Sequence, residues 1–231
     1  LEKELILECI ADYSGSLSYN ELRSVLQHIY PDLYAYLMPY KFNAALLNRY
    51  FEDYKFCKLE NRITPEFYSL VEEQAVKREY NLLLPVRSEK IESVDMSGAF
   101  AYFIDAMGVE FLGYISEKSK QKKLLPKITV CRSELPSITS CNKEFLDVFA
   151  EHNVQCKNIK QIDDIKHRGA ENFTLENSPY PTHLIRELEI IDHVLDLIKL
   201  DLAKGKYTKV ILVSDHGAVS YTHLRAHETR S

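Results

Sequence analysis

The chain has 231 residues, 45% of them apolar and 27% charged, with a formal net charge of −5. That length supports one large or two small domains with a hydrophobic core, and the acidic balance excludes a broad basic footprint for nucleic acid, leaving room only for a local patch. No apolar run approaches the roughly 18 residues of a membrane span and no signal-peptide pattern opens the chain. Five cysteines without a Cys-x-x-Cys pair read as a reduced, cytoplasmic protein.

Residues 1–81 read as helical. Gly15 is the only glycine before Gly98, and apolar residues recur at helical spacing: Leu5, Cys9 and Ile10, then Leu22, Val25, Leu26 and Ile29, then Phe42, Ala45, Leu46 and Phe56. Pro31, Pro39 and Pro65 cut this segment into short helices, and Thr64-Pro65-Glu66 has the form of an N-cap, a first-turn proline and a favourable acid. Ten of the fifteen tyrosines fall between Tyr13 and Tyr80. They are expected to fill gaps between short helices with their hydroxyls in water, a partner-binding face being the alternative. The pattern weakens across 82–97, around Pro85 and the charges of Arg87, Glu89, Lys90 and Glu92, which reads as a linker.

From residue 98 the rhythm changes. Ala99–Ile104 (AFAYFI) is a continuous apolar run, the mark of a strand buried on both faces. A helix is predicted over 109–122, a strand over 127–131 (KITVC), a helix over 142–152 and a weak strand over 154–159. A long amphipathic helix over 181–204 ends at Gly205, and a last strand covers 210–213 (VILV). Strands alternating with helices predict an α/β domain over 98–218, with a mostly parallel sheet covered on both faces.

Both ends of the sequence are unusual. It begins at Leu1 inside what reads as helix, and residues 219–231 show neither helix nor strand period. Residues 219–229 resemble the translation of a transposon-end sequencing adapter, so 219–231 are read as a non-native tail and left out of functional reasoning. A genuine polar tail is the alternative. The chain therefore reads as a fragment open at both ends, and His223 and His227 are not assigned chemistry.

In a parallel sheet the ligand crevice lies at the carboxyl ends of the strands. AFAYFI is followed by Asp105-Ala106-Met107-Gly108, and VILV by Ser214-Asp215-His216-Gly217; KITVC leads into the polar loop 132–142. Carboxylates at two strand ends, one beside a histidine, should converge on one edge and favour a divalent metal. Each piece alone is weak, because an Asp at a strand end as often caps the next turn. Adjacent Asp215 and His216 can share one metal only if the strand ends there, and Gly217 would permit such a turn.

Asp105, then Thr139 and Asn142 within LPSITSCN, then the DDIKH stretch 163–167, then Asp215-His216-Gly217, resemble in order and spacing the metal sites of the alkaline phosphatase superfamily. The phrases FIDAMGVEFLGYI, CRSELPSITSCNKEF, IDDIKHRG, THLIRELEIID and ILVSDHGA resemble more closely the PglZ domain of BREX phage-defence systems, type 4 above all. The resemblance implies a cytoplasmic phosphatase or phosphodiesterase holding two divalent ions, zinc or manganese. Thr139 would be the nucleophile on a first metal held by Asp105, Asp215 and His216. Asp163 and His167 would supply part of a second metal site, with Asp164 the alternative carboxylate, and Asn142 would contact the phosphate. Implied partners are other BREX subunits and a phosphoester substrate such as nucleic acid or a nucleotide, with no membrane.

The family pattern also requires a metal-binding histidine further downstream than Ala218, so the chain as written is expected to be inactive or nearly so, whereas its parent would be an enzyme. The role of His183 stays open between helix capping, packing and ligation. Two other readings stand beside this one: a catalytically inert PglZ-like scaffold that docks partners, and another phosphotransferase of the same superfamily. No sulfatase-type nucleophile motif and no glycine-rich nucleotide loop occurs.

Overall fold

The AFAYFI run has no polar face to offer water, so it must be covered on both sides. In the computed structural model, which describes residues 1–135, 137–167 (of 166 and 167 the backbone alone) and 180–217, it is the central strand β1 (Ala99–Ile104). It pairs in parallel with β2 (Gln155–Ile159) on one side and with β3 (Lys209–Val213) on the other, giving the order β2-β1-β3. The fold is α/β with an all-parallel sheet, as the strand and helix alternation predicts.

Side chains alternate across β1. Tyr102 and Ile104 belong to the larger core cluster, with Phe100, Val210 and Leu212 packed against it, and Ala99, Ala101 and Phe103 belong to a second cluster with Val213. The first face is covered by helices of both halves of the chain. These include α1 (Glu2–Asp12), α2 (Tyr19–Ile29), α3 (Pro31–Leu37), α4 (Ala45–Glu60), α8 (Leu112–Gln121) and α11 (His183–Ala203). The second face is covered by α7 (Arg87–Ile91) and α9 (Phe145–Glu151), where Phe103 meets Phe145 edge-on at 5.0 Å. Two further helices, α5 (Pro65–Lys77) and the short α6 (Tyr80–Leu83), lie between α4 and α7, and α10 (Gln161–His167) comes after β2.

Local sequence accounts for the helix ends. Ser18 and Glu21 form a reciprocal capping box on α2, and the Thr64 hydroxyl accepts from the Phe67 amide behind Pro65 on α5. Helix α11 buries Leu184, Leu188, Ile191, Val194, Leu195 and Ile198 at 3–4 residue spacing, and the chain leaves it through left-handed Gly205.

Three expectations need correction. Residues 127–131 form no strand: the described sheet has the order β2-β1-β3 and this segment pairs with none of its strands. Just after it, Arg132 forms an isolated parallel bridge with Val86. Residues 82–97 are not a plain linker: they carry α7, whose Ile91 joins the second core cluster. The tyrosines do fill gaps, but Tyr30, Tyr36 and Tyr54 are buried whole, and the Tyr19 hydroxyl donates to the Leu37 carbonyl rather than to water.

Lys58 of α4 is buried with its ammonium 3.2 Å from Glu187 of α11 and 3.9 Å from Glu110, in the turn after β1. Removing one partner of such a buried set leaves charge without compensation. Lys58→Ala is expected to lower stability by about 3–5 kcal/mol in urea unfolding. All five cysteines are free thiols, and among the described residues no helix is long and apolar enough to cross a membrane.

Candidate metal centre

Register brings the site together. Phe103 lies opposite Val213, so Asp105 and Asp215, each two residues further on, leave the same edge of the sheet side by side. The Asp105 amide still donates to the Ile159 carbonyl at 3.1 Å, which carries the ladder one residue past the strand. Ala106 then turns into the left-handed region (φ 58°), and its amide donates to Asp215 Oδ1 at 3.1 Å. A left-handed alanine costs about 1 kcal/mol or more, so this turn is held by its surroundings. The loops after β1 and β3 touch through glycines. A Cβ on Gly217 would lie 2.9 Å from the Gly108 Cα, and one on Gly108 would run into the Glu110 carboxylate. Gly217 is thus needed for close approach; its φ is not among the left-handed ones.

Asp105, Asp215 and His216 offer ligand atoms that all lie within 4.8 Å of one another. Thr139, in a single 3-10 turn at Thr139–Cys141, donates its hydroxyl to Asp105 Oδ1 at 3.2 Å and lies 3.3 Å from His216 Nε2. Both carboxylates are buried, and Thr139 sits at the more open side. Sequence reasoning placed these four side chains around one point, and the structure brings them there.

Asp215 Oδ2 faces His216 Nε2 at 3.1 Å yet makes no hydrogen bond, and it is buried. Burial, then the charges of Asp215 and Asp163, pushes the Asp105 carboxyl above its ordinary value. A buried oxygen without a donor, facing an imidazole nitrogen amid converging carboxylates, matches the donor set of a divalent cation.

No family model, curated protein or solved structure matches the chain.

The other expected site residues are more dispersed. Asp163 lies in the first turn of α10, outside the three-residue cluster, although its charge reaches Asp105. Asp164 is the more exposed of the two carboxylates. The stretch is helical as expected, which puts positions 163 and 167 on one face, but the His167 side chain lies outside the described residues, as do Ala218 and the tail from 219, with His223 and His227. His183 opens α11 and is buried 4.0 Å from Glu187, which makes it part of the internal charge cluster of Lys58.

Asn142 lies in the same loop as Thr139. It is fully buried, and its amide nitrogen donates to the Glu134 carbonyl at 3.1 Å and the Ile138 carbonyl at 3.0 Å. Its oxygen accepts from the Glu134 amide at 2.7 Å. Through these bonds Asn142 shapes the loop that carries Thr139.

Arg87 was missed. It stood among mixed charges in a weak stretch near Pro85, a pattern indistinguishable from a solvated linker. Its guanidinium lies between the loop of Asn142 and the loop of Asp215.

A raised carboxyl pKa means that the folded state prefers Asp105 protonated, so this contribution to stability is present at low pH and fades as pH rises through the raised value. Asp105→Asn is therefore expected to raise the melting temperature of the metal-free protein at neutral pH. The gap between variant and wild type should close on acidification, and zinc should no longer stabilise the variant; differential scanning calorimetry across pH checks both. Gly217→Ala should force the two loops apart, losing about 1–3 kcal/mol in urea unfolding and weakening divalent-cation binding by calorimetric titration.

Proposed function

We propose that this chain is part of a metal-dependent phosphatase or phosphodiesterase, related to the PglZ domain of BREX phage-defence systems, with Thr139 as nucleophile. The observation that carries the reading is the enclosure of one point by Asp105, Asp215, His216 and the Thr139 hydroxyl. The uncompensated carboxylates also weigh against an inert scaffold. A module that never bound a cation would keep buried like charges at a cost to stability and gain nothing from them.

Asp105, Asp215 and His216, with Thr139, would hold a first divalent ion, zinc or manganese. Asp163 and His167 would contribute to a second. A dication bound there lowers the pKa of the threonine hydroxyl and stabilises charge on the phosphoryl oxygens. Asp105 Oδ1 fixes the hydroxyl of Thr139 by accepting its hydrogen, which orients the oxygen toward an ester entering from the open side. Attack forms a bond from Thr139 Oγ1 to phosphorus and breaks the bond to the departing ester oxygen; water then hydrolyses the phosphothreonine. The substrate class is a phosphoester such as nucleic acid or a nucleotide, and the setting is the cytoplasm alongside other BREX subunits.

The chain should bind zinc or manganese, and Asp215→Ala should abolish that binding in isothermal titration. In the complete gene product, Thr139→Ala should reduce hydrolysis of a nitrophenyl phosphoester by at least about a thousandfold, with Thr139→Ser partly active. Full activity in Thr139→Ala would sink the proposal.

A further inference from the structure

Arg87 has five N–H donors in a rigid fork, and its three nitrogens are all engaged within the two loops that form the metal centre. Nε and Nη2 grip the Glu144 carboxylate side-on at 2.7 and 2.8 Å. Nη2 also donates to the Asn142 carbonyl at 2.8 Å. Nη1 donates to the Ser214 carbonyl at 3.3 Å and to the Asp215 carbonyl at 2.5 Å. The guanidinium stands 5.4 Å over the ring of Phe145, which is fully buried, and the arginine side chain is itself only 12% exposed.

The two ends of this bridge differ in what they carry. On one side, Asn142 folds the nucleophile loop through its bonds to Glu134 and Ile138, and Ile138 directly precedes Thr139. On the other, the carbonyl of Asp215 is held while its carboxylate points to the Ala106 amide and the metal cluster, with His216 next in the chain. The nucleophile and the Asp-His pair come from segments more than seventy residues apart in sequence. Between them, the guanidinium links both loops directly.

We propose that Arg87 is a positioning residue for this site. By tying residues 142–144 to residues 214–215 it sets the distance from the Thr139 hydroxyl to Asp215 and His216, and thereby metal affinity and turnover. The inference rests on the metal-centre reading above. Lysine cannot replace the arginine, because a single ammonium cannot serve a carboxylate fork and three carbonyls in two directions. Arg87 meets Asp215 through its backbone carbonyl and not through its carboxylate, so substrate affinity should change less than turnover.

The test combines amide hydrogen exchange with zinc and manganese titrations, applied to the wild-type protein, Arg87→Lys and Glu144→Gln. Arg87→Lys should speed exchange in both 138–142 and 214–216 and weaken zinc binding by about 10–100-fold, as loss of a group that orients ligands does. Glu144→Gln keeps the arginine but loosens its anchor, and should shift both measurements in the same direction by less. In the complete gene product, kcat should fall with KM nearly unchanged. Unchanged exchange and unchanged zinc affinity in Arg87→Lys would overturn the proposal while leaving the metal centre intact. A wild-type chain that binds no divalent cation, with exchange still faster in Arg87→Lys, would overturn the metal reading and keep the clamp. Should Arg87→Lys fail to fold, Glu144→Gln with wild-type exchange and affinity would overturn the clamp.

Discussion

Two carboxylates of like charge are forced together at the buried edge of the sheet, and the surrounding loops are arranged around that conflict. The parallel register of β1 and β3 leaves Asp105 and Asp215 no other position. Water cannot relieve them, since both are buried, and the nearby charge of Asp163 adds to the pressure on Asp105. The structure answers with dipoles: the Ala106 amide on Asp215 and the Thr139 hydroxyl on Asp105. Neutral donors soften a like-charge pair but do not neutralise it, and a dication would. The left-handed Ala106 and the contact of Gly108 with Gly217 result from the need to bring the two strand ends this close.

Much of this was legible in the sequence because short-range rules govern it. An unbroken apolar run must be a central strand, and the residues just past the ends of parallel strands must gather at one edge. Those two statements suffice to bring Asp105, Asp215 and His216 together. The placing of Thr139 beside them came from resemblance to a known arrangement, because its loop has no periodicity to read. The same rules misjudged KITVC: a strand-like composition shows that a segment could lie in a sheet, not that it pairs with one. The loop-shaping bonds of Asn142 were not legible, because a buried amide satisfies its hydrogen bonds on backbone carbonyls, here those of its own loop. Arg87 was invisible for a different reason. Its partners are mostly backbone carbonyls, which leave no mark on the residue types around them.

The N-terminal helices and the sheet differ in pattern yet share one core. Leu7, Leu26, Leu33 and Tyr36 lie in the same cluster as Tyr102, Ile104 and Leu188. The internal charges repeat the theme: Lys58 from the helical half meets Glu187 of α11 and Glu110 beside the Gly108 turn. The helical half therefore supports the loop after β1 from behind, while α7 supports the loops after β3 and before α9 from the other face.

That shared core bears on how the molecule can be taken apart. A boundary drawn at residue 97, where the sequence pattern changes, would strip one side of β1 of much of its cover and leave the carboxylates of Glu110 and Glu187 without their lysine. Excising 98–217 alone would expose an apolar sheet face and also discard the arginine that spans the two loops. The useful unit for dissection is the assembled pair of segments, cut no closer than α1.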